Sequence, residues 1–430
     1  MVCKNDEERL EHMKKKLYVA LSVCLLTVMI CGGCGKEKQT NKADVATSEQ
    51  TEDAGPINLR VWAGEEDHEM LTKVADAFIA ENSGADITIE IEAMMEGECR
   101  SNLLGDVLNG PDVYTTTDGD LQSIVAGGAA SPVVNEDEIK KNNIEAADEA
   151  MTIGEKMYGY PLTADNGYFL YYDKRYLSDS DVQTLDQILK VCEENDKKFA
   201  MDWSSGWYLY SFFGQTGLSV GLNADGVTNF CDWNSTDNAI KGVDVAQALL
   251  TISGSDAFLA TSDCVGAAVA GDAIAFVSGV WDESAVKAAW GSNYGACKLP
   301  TYTVNGSQVQ MACYFGYKMV GVNPYSKHLE WAHKFAEYMT NEENQILRFE
   351  MRGQGPSNIN AGQSSEIKDA LAIQAVIAQS EFSELQRLGG NYWGASTTLG
   401  NTLAAGNPDH IDLQELLDTM VEQTTASTVQ

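Results

Sequence analysis

The chain is predicted to be an α/β protein of two lobes, each a sheet flanked by helices. Strand patterns alternate with helix patterns from Ile57 onward, and 430 residues with 44% hydrophobic side chains exceed one average domain. Alternating β and α elements make a parallel sheet covered by helices. A chain of this length and hydrophobicity has enough apolar surface for two separate cores.

The first elements follow each other closely along the chain. Residues 57–63, INLRVWA, alternate as a strand does, and residues 69–80 place their apolar side chains on one helical face. Residues 87–93, ITIEIEA, predict a second strand, and VYTTT at 113–117 predicts a third. We expect further helices at these segments: 183–194, 239–251, 328–339 and 342–350.

Charge and motif content exclude several classes of function. The chain has 63 acidic and 29 basic residues, a net charge of −34, which repels nucleic acid and anionic lipid. An acidic coat is also typical of a soluble exported protein. The five histidines have no metal-ligand spacing, and neither a phosphate-binding loop nor a hydrolase motif occurs. The sequence therefore predicts no metal and no cofactor, and none of these motifs marks the chain as an enzyme.

A short apolar run lies near the N-terminus, in KKKLYVALSVCLLTVMICGGC at 14–34. Lysines, a short apolar segment and small residues are typical of a secretory signal. The run resembles a bacterial lipoprotein signal, in which residues 1–33 are removed and Cys34 is lipidated. An uncleaved anchor is the alternative, and a start at Met13 would give a more conventional signal. Residues 34–56 lack apolar periodicity and predict a lipidated, flexible tether to the outer face of the cytoplasmic membrane.

Six cysteines follow the signal, and their spacing does not indicate a zinc site. They are Cys99, Cys192, Cys231, Cys264, Cys297 and Cys313. The strand-like segments YGACKLP and VQMACYF could pair as a hairpin, which predicts a disulfide between Cys297 and Cys313. Buried free thiols are the competing interpretation.

Seven segments carry a recognisable pattern in a fixed order. They are WAGEEDHEMLTKVADAFIAEN, GPDVYTTTDGDLQSIVAGGAASPV, GEKMYGYPLTADNGYFLYYDKRYL, AIAFVSGVW, YGACKLPT, WAHKFAEYMTNEENQ and RGQGPSN. Together they resemble the extracellular solute-binding proteins, the family that includes maltose-binding protein. The resemblance covers residues 57–425, because its landmarks occur in family order over that whole length.

The resemblance implies two lobes joined by crossing strands. The N-terminal lobe would comprise 57–163 and 314–365, and the C-terminal lobe 164–313 and 366–430. An oligosaccharide would bind in the cleft between them, and the closed form would be delivered to the permease subunits of an ABC importer. The protein would be a monomer that meets the membrane through its lipid anchor only and binds no nucleic acid.

Carboxylates follow the predicted strands, where open α/β sheets bind their ligands. Glu66 and Asp67 come after the first strand, and Asp118 and Asp120 after the third. Asp165 lies in the implied first crossing, where family members present an acid to the sugar. A carboxylate can accept hydrogen bonds from sugar hydroxyls. Asp67 and Asp120 could equally cap the helices that follow, and Asp165 could simply turn the chain.

Aromatic residues give the chemical indication of a sugar site, because the apolar face of a pyranose packs flat on an indole. By resemblance, Trp207, Trp281 and Trp393 line the far side of the cleft. Single aromatic residues more often belong to a core than to a ligand platform. Three other tryptophans lie in periodic strands or helices and are assigned to cores: Trp62, Trp290 and Trp331.

Malto-oligosaccharide is the leading ligand, although the chain departs from the maltose-type pattern. Residues 115–120, TTTDGD, stand where those members have an aromatic and an acid-basic pair, and Ser205 stands where they have an acid. Linkage and chain length are therefore open, and xylo-, fructo- and galacto-oligosaccharides are alternatives. A secreted glycoside hydrolase, which needs two acids at a fixed separation, and a structural surface lipoprotein are alternatives from other classes.

Overall fold

The computed structural model describes residues 55–223 and 225–427. The predicted signal, Cys34 and nearly all of the tether lie outside the described residues. Within those residues, every helix is too short or too polar to cross a lipid bilayer.

Eighteen strands occur in the described residues. In chain order they are β1 Ile57–Ala63, β2 Ile87–Ala93, β3 Val113–Thr117, β4 Thr152–Ile153, β5 Lys156–Met157, β6 Tyr160–Thr163, β7 Phe169–Asp173, β8 Lys198–Met201, β9 Val220–Leu222, β10 Asn229–Cys231, β11 Phe258–Ala260, β12 Ala273–Ser278, β13 Tyr294–Cys297, β14 Thr301–Val304, β15 Ser307–Gln310, β16 Cys313–Phe315, β17 Lys318–Val322 and β18 Ser383–Leu385.

Sixteen α-helices accompany these strands in the same part of the chain. They are α1 His68–Glu81, α2 Glu96–Gly105, α3 Asp118–Ala126, α4 Glu136–Asn142, α5 Glu145–Ala150, α6 Leu185–Glu194, α7 Gly206–Leu209, α8 Gly242–Ser253, α9 Cys264–Val269, α10 Glu283–Trp290, α11 Leu329–Met339, α12 Glu342–Arg352, α13 Ser365–Lys368, α14 Leu371–Ser380, α15 Asn391–Ala404 and α16 Leu413–Thr425.

Two five-stranded sheets share one plan. The first has the order β2-β1-β3-β17-β6, and the second has the order β11-β8-β12-β7-β13. In each sheet three neighbouring strands are parallel, and the fourth pairs antiparallel with the strands on both its sides. The antiparallel fourth strand is β17 in one sheet and β7 in the other. Each enters after the chain has crossed from the other sheet, which is why it runs against its neighbours.

Each sheet has its own core. The first sheet packs with α1, α11 and the residues around them, including Phe78 and Phe335. The second is covered on one face by a cluster that includes Trp203 and Trp233, and on the other by a cluster that includes Phe276 and Trp290. We call the first sheet with its helices the N-terminal lobe and the second the C-terminal lobe. The residue boundaries predicted for the lobes stay a prediction.

The chain passes between the lobes three times. It leaves the first sheet after β6 and enters the second at β7, it returns from β16 to β17, and it leaves again between α12 and α14. Gly167 and Gly316 lie in the first two passages, and Cβ atoms there would stand 2.9 Å from Phe315 Cδ2 and 2.5 Å from Asp118 Oδ1. The crossing segments are therefore packed closely against their surroundings.

The local predictions from periodicity are largely confirmed. The strands at 57–63, 87–93 and 113–117 have the predicted bounds. The helix predicted at 69–80 is α1, whose buried face carries Met70, Leu71, Val74 and Phe78. The helices predicted near 183, 239, 328 and 342 correspond to α6, α8, α11 and α12, with starts shifted by up to a few residues.

The three tryptophans assigned to cores differ in burial. Trp290 is 3% exposed, as predicted. Trp62 and Trp331 are half-buried and pack against the margins of two cores, so their assignment to cores is confirmed only in part. Trp62 lies at the sheet surface, where its Nε1 donates to Glu92 Oε2 at 2.8 Å. Trp331 contacts Phe78 edge-on, and the Lys334 ammonium lies 4.5 Å from its ring centre.

The predicted hairpin and disulfide around Cys297 and Cys313 are not formed. Both thiols are free, because β13 pairs with β7 while β16 pairs with β18. The segment between them folds as its own hairpin, β14 with β15. Its two-residue turn has Asn305 at φ 50° and Gly306 at φ 75°. An Asn-Gly turn of this kind matches the right-handed twist of the flanking strands.

A buried histidine links three elements of the N-terminal lobe. His333 of α11 is 5% exposed, its Nδ1 lies 2.9 Å from the Tyr160 hydroxyl and its Nε2 lies 3.0 Å from Ser131 Oγ. Burial lowers the pKa of His333 from 6.5 to about 4. The neutral ring can bond both hydroxyl groups, whereas the positive charge of a doubly protonated ring would be buried away from water.

Because of His333, the protein should become less stable as the pH is lowered. Below about pH 6.5 the histidine of the unfolded chain binds a proton, whereas folded His333 stays neutral down to about pH 4. The contribution of His333 to the unfolding free energy is therefore complete above about pH 6.5 and is lost as the pH falls toward about 4. Relative to His333→Gln, the unsubstituted protein should lose roughly 3 kcal/mol of unfolding free energy over this range. Urea denaturation at several pH values measures this.

The matched control is His410→Asn, because His410 is exposed and its backbone φ of 53° is one that asparagine tolerates. The free-energy difference between this variant and the unsubstituted protein should stay flat with pH. A flat difference for His333→Gln as well would contradict the prediction.

Candidate ligand-binding site

The predicted acidic residues lie where the strands of the first sheet end. A 3-10 turn, Glu65–Asp67, follows β1, and α3 begins with Asp118 directly after β3. Parallel neighbours β1 and β3 bring these two segments to the same sheet edge. The crossing with Asp165 follows β6 of the same sheet. The structure thus gathers the predicted residues of the N-terminal lobe at one edge, as the sequence indicated.

Asp67 is held inside the protein by two arginines of α12. Its Oδ2 accepts from Arg348 Nη1 at 2.5 Å, and its Oδ1 accepts from Arg352 Nε at 2.8 Å. The residue is 3% exposed and its side chain does not cap α1. Burial by itself raises the pKa of Asp67, but the two guanidinium groups lower it overall. Asp67 therefore fastens α12 to the end of β1.

A second buried ion pair lies beside the first. Lys318 Nζ of β17 is 3.0 Å from Glu96 Oε1 at the start of α2, and the two side chains are only 13% and 16% exposed. Burial by itself raises the pKa of Glu96, but the Lys318 charge outweighs this rise and the pKa is lowered overall. The Lys318 charge also acts on Asp67 and Asp165. The Lys318 charge thus helps to compensate three carboxylates at this edge of the sheet, those of Glu96, Asp67 and Asp165.

Asp118 and Asp120, in the first turn of α3, also have cationic partners. Arg387 Nη1 donates to Asp118 Oδ2 at 2.6 Å, and Arg100 Nη1 lies 3.1 Å from Asp120 Oδ1. Burial raises the pKa of both aspartates, and the arginines oppose that rise. Asp120 is 9% exposed. Neither aspartate is the N-cap residue of α3, which is Thr117.

Asp165 is enclosed in the first crossing. It is 1% exposed, and its Oδ2 accepts from the backbone N–H of Gly355 in the third passage. Burial raises the pKa of Asp165, and that hydrogen bond with the more distant cations opposes the rise. Asp165 thereby ties two of the three passages together. It does more than turn the chain.

Glu66 differs from the other predicted acids because it is exposed. Across residues 55–223 and 225–427 it forms no ion pair, so its carboxylate is free to accept hydrogen bonds from a ligand. Of the five predicted acids, only Glu66 is exposed to solvent. The charges of the other four are compensated within the protein or suppressed by burial.

Trp207 and Trp393 belong to one aromatic cluster of the C-terminal lobe. The Trp207 ring centre is 5.5 Å from that of Tyr168 and 5.6 Å from that of Tyr314. Tyr314 contacts Tyr392 edge-on, and Tyr392 contacts Trp393 at 5.2 Å. Both tryptophans are half-buried. The cluster therefore presents indole surface while the tyrosines support it from inside.

Trp281 follows β12 in a separate loop of the same lobe. Its ring lies over Gly279, where a Cβ atom would stand 2.2 Å from Trp281 Cζ3, so only glycine leaves room for it. The loop is also held by Ser278, whose Oγ donates to Asp282 Oδ2 at 2.5 Å. Asp282 is half-buried, and burial raises the pKa of its carboxyl group.

Sequence reasoning missed three residues near these tryptophans: Tyr168, Tyr314 and Asp282. Tyr168 and Tyr314 lie in the first two passages between the lobes, and the Tyr168 hydroxyl donates to the Trp207 carbonyl at 2.6 Å. An aromatic residue in each crossing was the available signal. Asp282 was visible as the residue directly after Trp281.

The second passage separates two regions. Along Tyr314–Lys318, alternate side chains point to opposite faces. Tyr314 contacts Trp207 and Lys318 contacts Glu96 on one face. Phe315 and Tyr317 line a cavity of about 510 Å³ on the other, together with residues of α5, α14 and β18. Trp207 and Glu96 therefore contact one face of this segment, while Arg387, the partner of Asp118, lines the cavity on the other face.

Comparison with known proteins identifies the family of this chain. The model of a family described as bacterial extracellular solute-binding protein matches residues 73–375. A galactooligosaccharide-binding protein of Bacillus subtilis is 26% identical in an alignment of 386 positions that covers 86% of this chain and 87% of that protein. A maltooligosaccharide ABC transporter solute-binding lipoprotein of Streptococcus pneumoniae is 25% identical, over 85% of this chain and 86% of that protein.

A solved structure shows the same two-lobed α/β fold. The ligand-free maltodextrin-binding protein of L. casei BL23 superimposes with a TM-score of 0.74 at 21% identity. The match covers 87% of this chain and 100% of that chain. The fold predicted from the sequence is thereby confirmed.

Removing the Asp67 carboxylate should strongly destabilise the protein. Asp67→Ala leaves two arginine charges near the floor without their partner, and breaking a buried pair in this way costs about 3 to 5 kcal/mol. The neighbouring Glu66→Ala is the matched control and should change the unfolding free energy by less than about 0.5 kcal/mol, because that side chain is exposed. Urea denaturation compares the two variants, and equal stabilities would contradict the role given to Asp67.

Proposed function

Because this chain belongs to the bacterial extracellular solute-binding protein family, we propose that it captures an oligosaccharide and delivers it to an ABC importer. The family consists of solute-binding proteins rather than enzymes. Malto-oligosaccharide is the leading ligand, and a galacto-oligosaccharide is the second candidate because one relative carries that name.

The observation that carries this proposal is the combination of indole surface with internally compensated charge. Three half-buried tryptophans, Trp207, Trp281 and Trp393, offer faces on which sugar rings can stack. The carboxylates opposite them are paired with arginine or lysine, or are enclosed in the protein. A cleft of this kind suits a neutral ligand rich in hydroxyl groups better than an ion.

The predicted site residues divide into two roles in this proposal. Glu66 and the three tryptophans contact the sugar directly, because they are the predicted residues with accessible surface. The remaining four predicted acids fix the floor and limit which hydroxyl groups can approach. They are Asp67, Asp118, Asp120 and Asp165.

Binding would be coupled to closure of the cleft. We place residues 57–163 and 314–365 in one lobe and 164–313 and 366–430 in the other. Glu66 lies on the first and the tryptophans on the second, so a sugar contacts both sets only when the lobes are close together. Such a ligand binds the closed form more tightly and shifts the population toward it.

The placement of the protein in the cell follows from the N-terminal pattern. We propose that Cys34 carries the lipid anchor, that residues after it form the tether, and that the monomer presents its closed cleft to the permease subunits. The naming of one relative as a lipoprotein supports this anchoring. Labelled palmitate incorporated by the native chain but not by Cys34→Ser would support it, whereas equal labelling would contradict it.

Isothermal titration of the purified protein against malto-, galacto-, xylo- and fructo-oligosaccharides tests the function. We expect saturable binding of one series, with the sugar recovered intact by chromatography. Shortened sugars would instead support the glycoside hydrolase alternative. Absence of binding to all four series would contradict the proposal of an oligosaccharide receptor.

Loss of an indole platform should weaken binding without unfolding the protein. Trp281→Ala should raise the dissociation constant of the bound sugar by about tenfold or more, equivalent to at least about 1.4 kcal/mol. Trp331→Ala is the matched control, because Trp331 is also half-buried but packs against Phe78 in the N-terminal lobe. It should leave the dissociation constant unchanged. Unchanged affinity in Trp281→Ala would remove this residue from the site.

A further inference from the structure

The ion pair between Asp118 and Arg387 joins the two lobes beside the crossing strands. Asp118 begins α3 of the N-terminal lobe, directly after β3. Arg387 lies between β18 and α15, in the part of the chain that packs on the C-terminal lobe. Their contact of 2.6 Å spans 269 positions of sequence. Neither the family pattern nor the spacing of the residues indicates this pair.

Each partner is anchored to its own lobe. The backbone N–H of Asp118 donates to the Tyr317 carbonyl at 3.0 Å, and Asp118 Oδ1 accepts from the Tyr317 N–H at 2.8 Å. This two-way bond fixes the carboxylate to Tyr317, the residue directly before β17. Two residues after Arg387, Gly389 exchanges hydrogen bonds with the Asn229 side chain at 2.6 and 3.3 Å. That exchange fixes the arginine segment to the C-terminal lobe.

The two segments are in direct contact. A Cβ atom on Gly119 would stand 3.2 Å from the carbonyl oxygen of Gln386. A Cβ atom on Gly316, in the second passage, would stand 2.5 Å from Asp118 Oδ1. These three segments are therefore closely packed: the first turn of α3, the second passage and the segment around Arg387. Any other arrangement of the lobes at this point requires at least one of them to move.

Burial makes this pair a stronger constraint than a surface ion pair. The Asp118 side chain is 1% exposed and that of Arg387 is 31% exposed. Burial raises the pKa of Asp118, and the Arg387 charge opposes this rise. If the lobes separated at this point, the Asp118 carboxylate would lose its cation, and removing one partner of a largely buried ion pair is unfavourable.

We propose that Arg387 is a positioning residue that, through Asp118, holds the lobes in their observed arrangement and so limits how freely the ligand cleft changes shape. This role rests on the proposed closure of the cleft around a ligand. A pair that restrains the lobe arrangement alters the population of the binding-competent form, and the apparent affinity follows that population. Arg387 acts through Asp118 rather than through contact with the sugar.

The chain supplies a matched control at the same turn of α3. Arg100 pairs with Asp120 in the first turn of α3, and its side chain is also 31% exposed. Arg100 lies in α2, so this second pair stays inside the N-terminal lobe. Arg387→Gln and Arg100→Gln thus each remove the arginine partner of an aspartate in the first turn of α3, but only the first variant breaks a link between lobes.

The test is the distance between spin labels on the two lobes of the purified, ligand-free protein, measured by double electron–electron resonance. The labels replace exposed Asp137 of α4 and Glu193 of α6 through cysteine substitutions. The native thiols in the described residues would compete little for the label, because burial raises the pKa of each to about 12: Cys99, Cys192, Cys231, Cys264, Cys297 and Cys313.

Arg387→Gln should shift or broaden the distance distribution, Arg387→Lys should restore most of it, and Arg100→Gln should leave it unchanged. A distribution for Arg387→Gln that equals that of the unsubstituted protein would overturn the proposal. An equal change in Arg100→Gln would also overturn it, because the effect would then come from loosening α3. If Arg387→Gln does not fold, Asp118→Asn removes the same charge pair and is judged by the same criteria.

Titration with maltotriose adds a readout of function. Its dissociation constant should change by about threefold to tenfold in Arg387→Gln and stay constant in Arg100→Gln. Equal constants in both variants would overturn the link to affinity. Failure of the unsubstituted protein to bind any of the sugars contradicts the proposed function instead, and it leaves the distance measurement, which uses no ligand, intact.

Discussion

Compensation of buried carboxylates is the constraint on which the site depends. Four acids at the edge of the first sheet are nearly inaccessible, and a buried carboxylate is tolerated only with a cation or hydrogen-bond donor beside it. Asp67 satisfies this by taking both arginines of α12, and Asp165 by taking the Gly355 N–H. The same bonds that neutralise the floor therefore fasten α12 and the third passage to the sheet edge.

The crossing strands combine two tasks because successive side chains of a strand face opposite ways. In the second passage, Tyr314 supports Trp207 and Lys318 compensates Glu96, while Phe315 and Tyr317 face the cavity on the other side. A rotation of one lobe against the other thus acts on both faces at once. The residues that could carry this coupling are backbone neighbours, so no long chain of side chains is needed between the two faces.

The sequence predicted what depends on neighbouring residues and missed what depends on distant ones. The alternation of 57–63 and the apolar face of α1 follow from local periodicity, and both were correct. The Asn305–Gly306 turn was a local signal that was overlooked, and the wrong disulfide followed from that omission. The partners of the acids could not be predicted, because Arg348 is 281 positions from Asp67 and Arg387 is 269 from Asp118. Only the tertiary fold determines which acids remain free.

These ion pairs also explain how ligand preference could change within such a fold while the lobes stay intact. If arginines occupy the carboxylates of the floor, few polar groups remain to distinguish one sugar hydroxyl pattern from another, and Glu66 is the most accessible of them. A change at Glu66 alters hydrogen bonding at little expense in stability, because an exposed side chain supports no core. A change at Asp67 alters both the hydrogen bonding and the stability of the protein. Under the proposed function, specificity and stability are therefore assigned to adjacent residues of a single turn, the exposed Glu66 and the buried Asp67 that binds α12.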